Sequence, residues 1–173
     1  MESNVILVDI HDCVRGDAPK MVAHKSPLLH RAFSVFLYHD DKLLIQRRAL
    51  HKYHSGGLWA NACCSHPHPG EETLQSANRR LYEELFIKDV KLEEVFSFIY
   101  YYQFAETLFE YEYDHVFLGE YTGNPFLNKE EVEESKWISF QELSQKLCDT
   151  PQTFAPWFLI AAPRVLQKLK ECK

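Results

Sequence analysis

The segment from Glu71 to Leu85 constrains the fold of this chain more strongly than any other part of its sequence. Within it, apolar residues recur at steps of three and four, at Leu74, Ala77, Leu81 and Leu85. This spacing predicts a helix with one apolar stripe, which has to pack on a layer of other apolar elements. The rest of the chain must therefore supply that layer.

Short apolar runs on both sides of this helix predict strands. Val5–Val8 and Phe33–Tyr38 are two of them, and a polar turn at residues 39–42 joins the second to Leu43–Ile45 as a hairpin. Two further runs are rich in aromatic and β-branched residues, as strands are, at Phe96–Tyr102 and Tyr113–Tyr121.

The remaining elements complete a mixed architecture. The chain from Leu58 to His66 is expected to be extended, and helices are expected near Ser139 and after Pro156. Pro163 either kinks the last helix or lies in its first turn. With no repeat or linker, residues 1–173 are interpreted as one domain, a mixed sheet with helices packed against it in an α/β (α+β) sandwich.

Composition excludes several classes of protein. The formal net charge of −6, from 19 basic and 25 acidic residues, gives no general electrostatic reason to bind nucleic acid or an anionic membrane. No apolar run approaches the ~18 residues of a membrane helix, and residues 1–4 lack the features of a signal peptide. Five cysteines, with Cys63 and Cys64 adjacent, indicate reduced thiols in a cytoplasmic protein.

Two pairs of polar residues stand two apart in expected strands, so that the members of each pair share a face. They are Cys64 with His66, and Glu110 with Glu112. Neighbouring carboxylates repel, and a bound cation or a shared proton relieves the repulsion. His66 and the two carboxylates, joined by His24 or His30, would form a site of nitrogen and oxygen ligands suited to Mn, Zn or Fe.

A less specific interpretation stays open for the same residues. Glu110 and Glu112 also suit a solvated strand edge, and an unpaired cysteine such as Cys64 is usually a small buried hydrophobe. The basic residues are solvated charges unless they gather around an anion such as a phosphate. Trp59, Trp157 and the tyrosines at 100–102 are more often core residues than walls that stabilise a cation.

The predicted helix also matches much of the Nudix signature. Glu71 precedes Arg79 by eight residues, and the sequence at 81–85 fits the end of the pattern. Three positions depart from it, occupied here by Ser65, Arg80 and Phe86. The glutamate that Arg80 replaces is a metal ligand in a pyrophosphohydrolase, so this residue argues against that activity.

Taken together, six motifs follow one another in the order of a known family. They are Leu29–Ser34, Gln46–Ala49, Trp59–Pro67, Arg79–Leu85, Glu110–Glu112 and Phe154–Trp157. From about Val5 to Leu169 the chain resembles type I isopentenyl diphosphate isomerase, a relative of the Nudix hydrolases. The resemblance implies a Nudix-type α/β/α sandwich with additional N-terminal elements.

The resemblance also implies an activity in isoprenoid biosynthesis. The family interconverts isopentenyl and dimethylallyl diphosphate by an allylic 1,3 proton shift. By this comparison Cys64 is the catalytic thiol and Glu112 the acid on the opposite face. A tyrosine assists the glutamate, and Tyr101 is the choice among residues 100–102. Trp157 corresponds to the aromatic residue whose π-face stabilises positive charge on carbon.

Metal and phosphate binding follow from the same resemblance. The ligands of a divalent Zn²⁺ or Mn²⁺ ion correspond to His24, His30, His66, Glu110 and Glu112. Glu84 corresponds to the ligand of a Mg²⁺ ion that arrives with the diphosphate. The residues that bind the diphosphate correspond to Lys20, Arg48, Lys52 and Arg80. The expected partner is this small molecule, with no nucleic acid or membrane, and the chain is expected to be a monomer or a weak homodimer.

Other activities remain as alternatives. A Nudix-type pyrophosphohydrolase would release phosphate from its substrate, and an inactive binding module would need a broken site. A flavin-dependent isomerase is disfavoured because the chain has no glycine-rich phosphate loop.

Overall fold

The computed structural model describes residues 3–171, so that Met1, Glu2, Cys172 and Lys173 lie outside the described part of the chain. Its strands are β1 (Asn4–Val8), β2 (Val14–Pro19), β3 (His30–His39), β4 (Lys42–Arg48), β5 (Trp59–Ala60), β6 (Cys63–Ser65), β7 (Leu92–Ala105), β8 (Leu108–Glu120) and β9 (Val132–Ser139). Its helices are α1 (Lys20–Lys25), α2 (Thr73–Leu85), α3 (Phe140–Asp149) and α4 (Pro156–Glu171).

β3 organises one mixed sheet. Along one edge it pairs in parallel with β8, from His30 opposite Glu112 to Tyr38 opposite Glu120. Its other partners, β1, β4 and β6, are antiparallel to it. β8 continues into a long antiparallel hairpin with β7, and β9 covers the outer edge of β4. The central strand therefore brings residues from distant parts of the chain side by side.

Side-chain alternation along β3 divides the interior into two cores. Phe33, Val35 and Leu37 face one way and pack with the apolar stripe of α2. Phe36 faces the other way and packs with Phe158 of α4, at a ring-centroid distance of 5.7 Å. The expected three-layer sandwich is thus confirmed, with helices on both faces of a mixed sheet.

Most of the predicted elements occur close to their expected bounds. The helix predicted from Glu71 begins two residues later, at Thr73, and Ser139 caps α3 by accepting the Glu142 backbone N–H at 3.1 Å. Pro163 lies in the interior of α4 and not in its first turn. The short elements β2 and α1 and the polar strand β9 were not predicted.

Phe86 ends α2 in place of the glycine that usually ends such a helix. Its φ is +54°, in the left-handed region, and its N–H donates to the Tyr82 carbonyl at 2.9 Å. A residue with a Cβ is strained there, so α2 ends on a left-handed residue without the glycine that accommodates this conformation most easily.

The described cysteines, Cys13, Cys63, Cys64 and Cys148, are all free, in agreement with the expectation of reduced thiols. No helix within residues 3–171 is both long and apolar enough to cross a membrane.

An ion pair of the Nudix segment makes the stability of the fold depend on pH. Arg79 donates to both carboxylate oxygens of Glu71, at 2.8 and 2.9 Å, and this bonding lowers the pKa of Glu71 from 4.5 to about 2. We expect Glu71→Gln to lower the free energy of unfolding by about 1 kcal/mol at pH 7. Because the pKa is lowered on folding, the difference from wild type shrinks as pH falls from 4.5 towards about 2.

Urea titrations at pH 7, 5 and 3 measure this effect. Glu72→Gln is the matched control, since Glu72 is an exposed neighbour whose side chain does not cap the helix. A stability difference for Glu71→Gln that is the same at all three pH values would contradict the assignment.

Candidate active site

One pocket gathers Cys64 and Glu112, the two residues with the most specific chemical roles in the sequence analysis. Cys64 lies on the short strand β6, opposite Ser34 of β3. Arg48 Nη1 donates to the Cys64 sulfur at 3.6 Å. Burial raises the pKa of Cys64 to about 12 in spite of this arginine, so the group is a protonated thiol at neutral pH.

The carboxylate of Glu112 is held from both sides. Its Oε1 lies 2.8 Å from His66 Nε2 and 3.5 Å from His30 Nε2, and its Oε2 accepts the Tyr100 hydroxyl at 2.7 Å. Burial raises the pKa of Glu112, but the neighbouring histidines more than offset this and hold the pKa well below its usual range. Glu112 is therefore an ionised carboxylate in the same pocket as a neutral thiol.

Three histidines converge on this carboxylate. His24 comes from α1, His30 from the start of β3 and His66 from the chain just after β6, and all three lie in the interior. Together with Glu112, each offers one ligand atom, and the four atoms lie within 4.8 Å of one another. His30 Nε2 and His66 Nε2 are 3.2 Å apart. Ligand atoms around a four-coordinate zinc ion stand roughly 3.3 Å apart, so this spacing suits a divalent metal.

The hydrogen bonds behind the rings support the same interpretation. His24 Nδ1 donates to the Phe109 carbonyl at 2.8 Å, and His30 Nδ1 donates to the Leu28 carbonyl at 2.7 Å. With Nδ1 donating to a carbonyl, Nε2 is the nitrogen that each ring presents to the cluster. His24 Nε2 is buried without a hydrogen-bond partner. Burial lowers the pKa of His24 to about 4, which favours the neutral form that binds a metal.

Glu110 does not join this group of four, although the sequence analysis placed it among the metal ligands. Its Oε1 lies 2.9 Å from His54 Nε2, and its Oε2 accepts the Tyr100 hydroxyl at 2.6 Å. Both carboxylate oxygens of Glu110 are thus used outside the histidine cluster. Glu110 and Glu112 line the same pocket, as their shared strand face predicts, and the place of Glu110 among the metal ligands stays a prediction.

The tyrosine in the pocket is Tyr100, not Tyr101. Tyr100 pairs with Glu112 across the β7–β8 hairpin, and directly opposed residues share a face of the sheet. Tyr101 is the next residue and points to the opposite face, where its side chain is 54% exposed. The structure therefore places Tyr100, and not the expected Tyr101, beside Glu112, because the alignment of the two strands, which the sequence does not show, decides which tyrosine faces the pocket.

The basic residues gather as predicted. Lys20, Arg48, Lys52 and Arg80 all line the pocket. Two of them have a carboxylate partner, Glu131, which the sequence analysis did not name. Glu131 forms ion pairs with Lys52 and, at 3.3 Å, with Arg80. Arg80 also donates to Glu84 Oε1 at 2.6 Å, a residue one turn of helix further along α2.

Trp157 closes the apolar side of the pocket from the first turn of α4. Its indole N–H donates to the Asn61 Oδ1 at 3.0 Å, which fixes the ring plane. The Arg48 guanidinium carbon lies 5.3 Å from the centre of the ring. The ring thus already contacts a cation through its π-face.

Several pocket residues were missed. They are Ser34, Tyr53, His54, Asp114 and Glu131. Asp114 continues the alternation of Glu110 and Glu112, so the two-residue spacing could have found it. His54 and Glu131 lie in irregular chain, where no periodicity indicates the direction of a side chain.

Comparison with known proteins identifies the family. Residues 28–158 match the NUDIX domain family. The chain is 47% identical over 167 residues to isopentenyl-diphosphate Delta-isomerase 2 of Aromatoleum aromaticum, covering 96% of this chain and 88% of that protein. It is 43% identical to the isopentenyl-diphosphate Delta-isomerase of Pectobacterium atrosepticum, covering 94% and 91% of the two chains.

Solved structures agree on the fold. A Deinococcus radiodurans protein covers 85% of this chain and 90% of its own, with a TM-score of 0.71 and 20% identity. The MutT protein of Methanosarcina mazei covers 82% and 95%, with a TM-score of 0.63 and 16% identity. Because the NUDIX match spans most of the sequence and the isomerases match almost end to end, the chain belongs to the isopentenyl-diphosphate Delta-isomerase family of Nudix-domain proteins.

Proposed function

We propose that this chain interconverts isopentenyl diphosphate and dimethylallyl diphosphate by an allylic 1,3 proton shift. The observation that carries the proposal is the meeting of a thiol, Cys64, and a carboxylate, Glu112, in one pocket. The relatives named as isopentenyl-diphosphate Delta-isomerases support the substrate. Hydrolysis of a diphosphate would not need this pair.

The reaction requires one proton to be added and another removed. A proton added to the terminal CH₂ carbon of isopentenyl diphosphate leaves a tertiary cation on the adjacent carbon. Loss of a proton from the neighbouring CH₂ group then places the double bond in the dimethylallyl position. We propose that Cys64 and Glu112 carry these two proton transfers from opposite faces of the substrate, with Tyr100 hydrogen-bonded to the carboxylate.

The surroundings of these two groups suit a cationic intermediate. Water would capture a tertiary cation, so the site has to be dry. Trp157 is only 3% exposed and Tyr100 only 5%, and both line the pocket. The π-face of Trp157, which contacts Arg48 here, would attract positive charge that develops on carbon.

The metal would be held by His24, His30, His66 and Glu112, with Glu110 as the fifth ligand that the family resemblance implies, and we propose Zn²⁺ or Mn²⁺ on the basis of this nitrogen-rich set. When bound, the ion would fix the orientation of Glu112 and modulate its acidity. Glu84 is proposed to bind the Mg²⁺ that arrives with the diphosphate, since a carboxylate held by Arg80 and Gln46 still has free lone pairs.

The diphosphate is proposed to bind Lys20, Arg48, Lys52 and Arg80. Glu131 occupies two of these cations in the absence of substrate, so the incoming phosphate has to displace it. We expect Glu131→Gln to bind inorganic pyrophosphate with Mg²⁺ roughly tenfold more tightly than wild type, or about 1.4 kcal/mol. Isothermal titration calorimetry measures the change.

Glu130→Gln is the matched control, because Glu130 is the adjacent residue and its side chain is 86% exposed. This variant should bind pyrophosphate like wild type. Weaker binding by Glu131→Gln would show that Glu131 assists the ligand and does not compete with it.

Proton NMR in deuterated water tests the proposed activity directly. The protein is incubated with isopentenyl diphosphate, Mg²⁺ and a second divalent ion, Zn²⁺ or Mn²⁺. Dimethylallyl diphosphate that carries solvent deuterium is the expected product. Unchanged signals of the carbon-bound protons, with release of phosphate, would favour a pyrophosphohydrolase. No change of any kind in a metal-loaded sample would favour a binding module.

A further inference from the structure

His54 is a buried polar residue that the reaction outlined above does not use. It belongs to the loop of residues 49–58 between β4 and β5, yet only 8% of its surface is exposed. Its ring lies against Phe104, at a centroid distance of 4.7 Å, and edge-on to Tyr53 at 4.4 Å. A polar ring buried among aromatic residues needs a hydrogen-bond partner to offset the cost of burial.

That partner is Glu110. His54 Nε2 lies 2.9 Å from Glu110 Oε1, and both side chains are almost fully buried. The other oxygen of Glu110 accepts the Tyr100 hydroxyl at 2.6 Å, and the same hydroxyl lies 2.7 Å from Glu112 Oε2. A continuous series of polar contacts therefore runs from His54 to the carboxylate of Glu112.

This series of contacts contains few hydrogen-bond donors for its two carboxylates. The Tyr100 hydroxyl has one proton, and two carboxylates face it. The N–H of His54 supplies the donor that fixes the second oxygen of Glu110. Without it, Glu110 would keep a buried oxygen with no partner and would be free to turn about its side chain. The hydroxyl between Glu110 and Glu112 would then lose its fixed position.

The loop that carries His54 also carries Lys52, which faces the basic side of the pocket. The loop is folded tightly, since Gly57 N donates to the Arg48 carbonyl at 3.0 Å. A Cβ on Gly56 would lie only 2.6 Å from the Leu50 carbonyl oxygen, so this turn requires glycine. One short loop thus carries both Lys52, which lies among the basic residues of the pocket, and His54, which contacts Glu110.

We propose that His54 is a positioning residue, which holds Glu110 and, through Tyr100, sets the geometry of Glu112, while the backbone hydrogen bond of the loop itself keeps Lys52 in place. The proposal rests on the isomerase activity proposed above. It predicts that His54 acts on the rate of proton transfer and not on the affinity for the diphosphate.

Two variants separate the hydrogen bond from the ring. His54→Phe keeps an aromatic ring against Phe104 but removes the N–H, and His54→Gln removes the ring but keeps an N–H at a similar reach. We expect His54→Phe to lower kcat by roughly 10- to 100-fold, the usual effect of losing an outer hydrogen-bond partner, with KM and pyrophosphate affinity unchanged. His54→Gln should restore most of kcat.

The matched control is His51→Ala, since His51 lies on the same loop with a side chain 62% exposed. It should behave like wild type. Low kcat in His54→Gln with normal kcat in His54→Phe would show that the ring only packs, and would overturn the proposal. If His54→Phe does not fold, His54→Gln alone decides, because the proposal requires it to retain kcat. Inactive wild-type protein would instead refute the isomerase activity.

Discussion

Replacement of Cys64 by alanine is expected to lower kcat for isopentenyl diphosphate by roughly 10²- to 10⁴-fold or more, the range for loss of a general acid or base. We assign the thiol one of the two proton transfers, since Cys64 lines the same pocket as Glu112. Alanine is smaller and apolar, so the fold and the binding of pyrophosphate should be almost unchanged. Isomerisation followed by proton NMR, with calorimetry for binding, measures both quantities.

The control for this variant is Cys148→Ala, because Cys148 is an exposed cysteine on α3 and does not line the pocket. It should keep wild-type turnover. Near-wild-type activity in Cys64→Ala would remove Cys64 from the mechanism.

Replacement of Glu112 by glutamine is expected to lower kcat by a similar factor and to lower the metal content at the same time. Glutamine has no ionisable carboxyl group, so it neither transfers a proton nor balances a divalent ion beside His30 and His66. Elemental analysis of the purified variant, together with the isomerisation assay, tests both effects.

Glu120→Gln is the control on the same strand, since Glu120 is exposed at the far end of β8. Its metal content and activity should equal those of wild type. Full metal content in Glu112→Gln would show that the histidines alone hold the ion.

The parts of the site that follow from local geometry could be predicted. A strand repeats every two residues, so Cys64 and His66, and likewise Glu110 and Glu112, had to share a face wherever the strand lay. The pairing of Arg80 with Glu84 followed in the same way from one turn of helix. These statements needed no knowledge of the surrounding structure.

Other features depend on how distant segments align. The choice between Tyr100 and Tyr101 is set by the pairing of β7 with β8, which places Tyr100 opposite Glu112. His54 reaches Glu110 from a loop, where side-chain direction follows no period. The edge strand β2 contains both Gly16 and Pro19, which are uncommon in strands, and α1 is too short at six residues to show an apolar stripe.

Arg80 bears on whether the phosphoanhydride bond of a bound diphosphate can be cleaved. Cleavage of a phosphoanhydride needs carboxylates that gather divalent ions and polarise an attacking water. In α2, the guanidinium of Arg80 instead bonds Glu83 at 2.8 Å and Glu84 at 2.6 Å. A fixed single charge cannot polarise water as a divalent ion does. The protein thus keeps the helix of the Nudix fold, but we expect the diphosphate to stay intact while it is bound. Only the position of the double bond then changes.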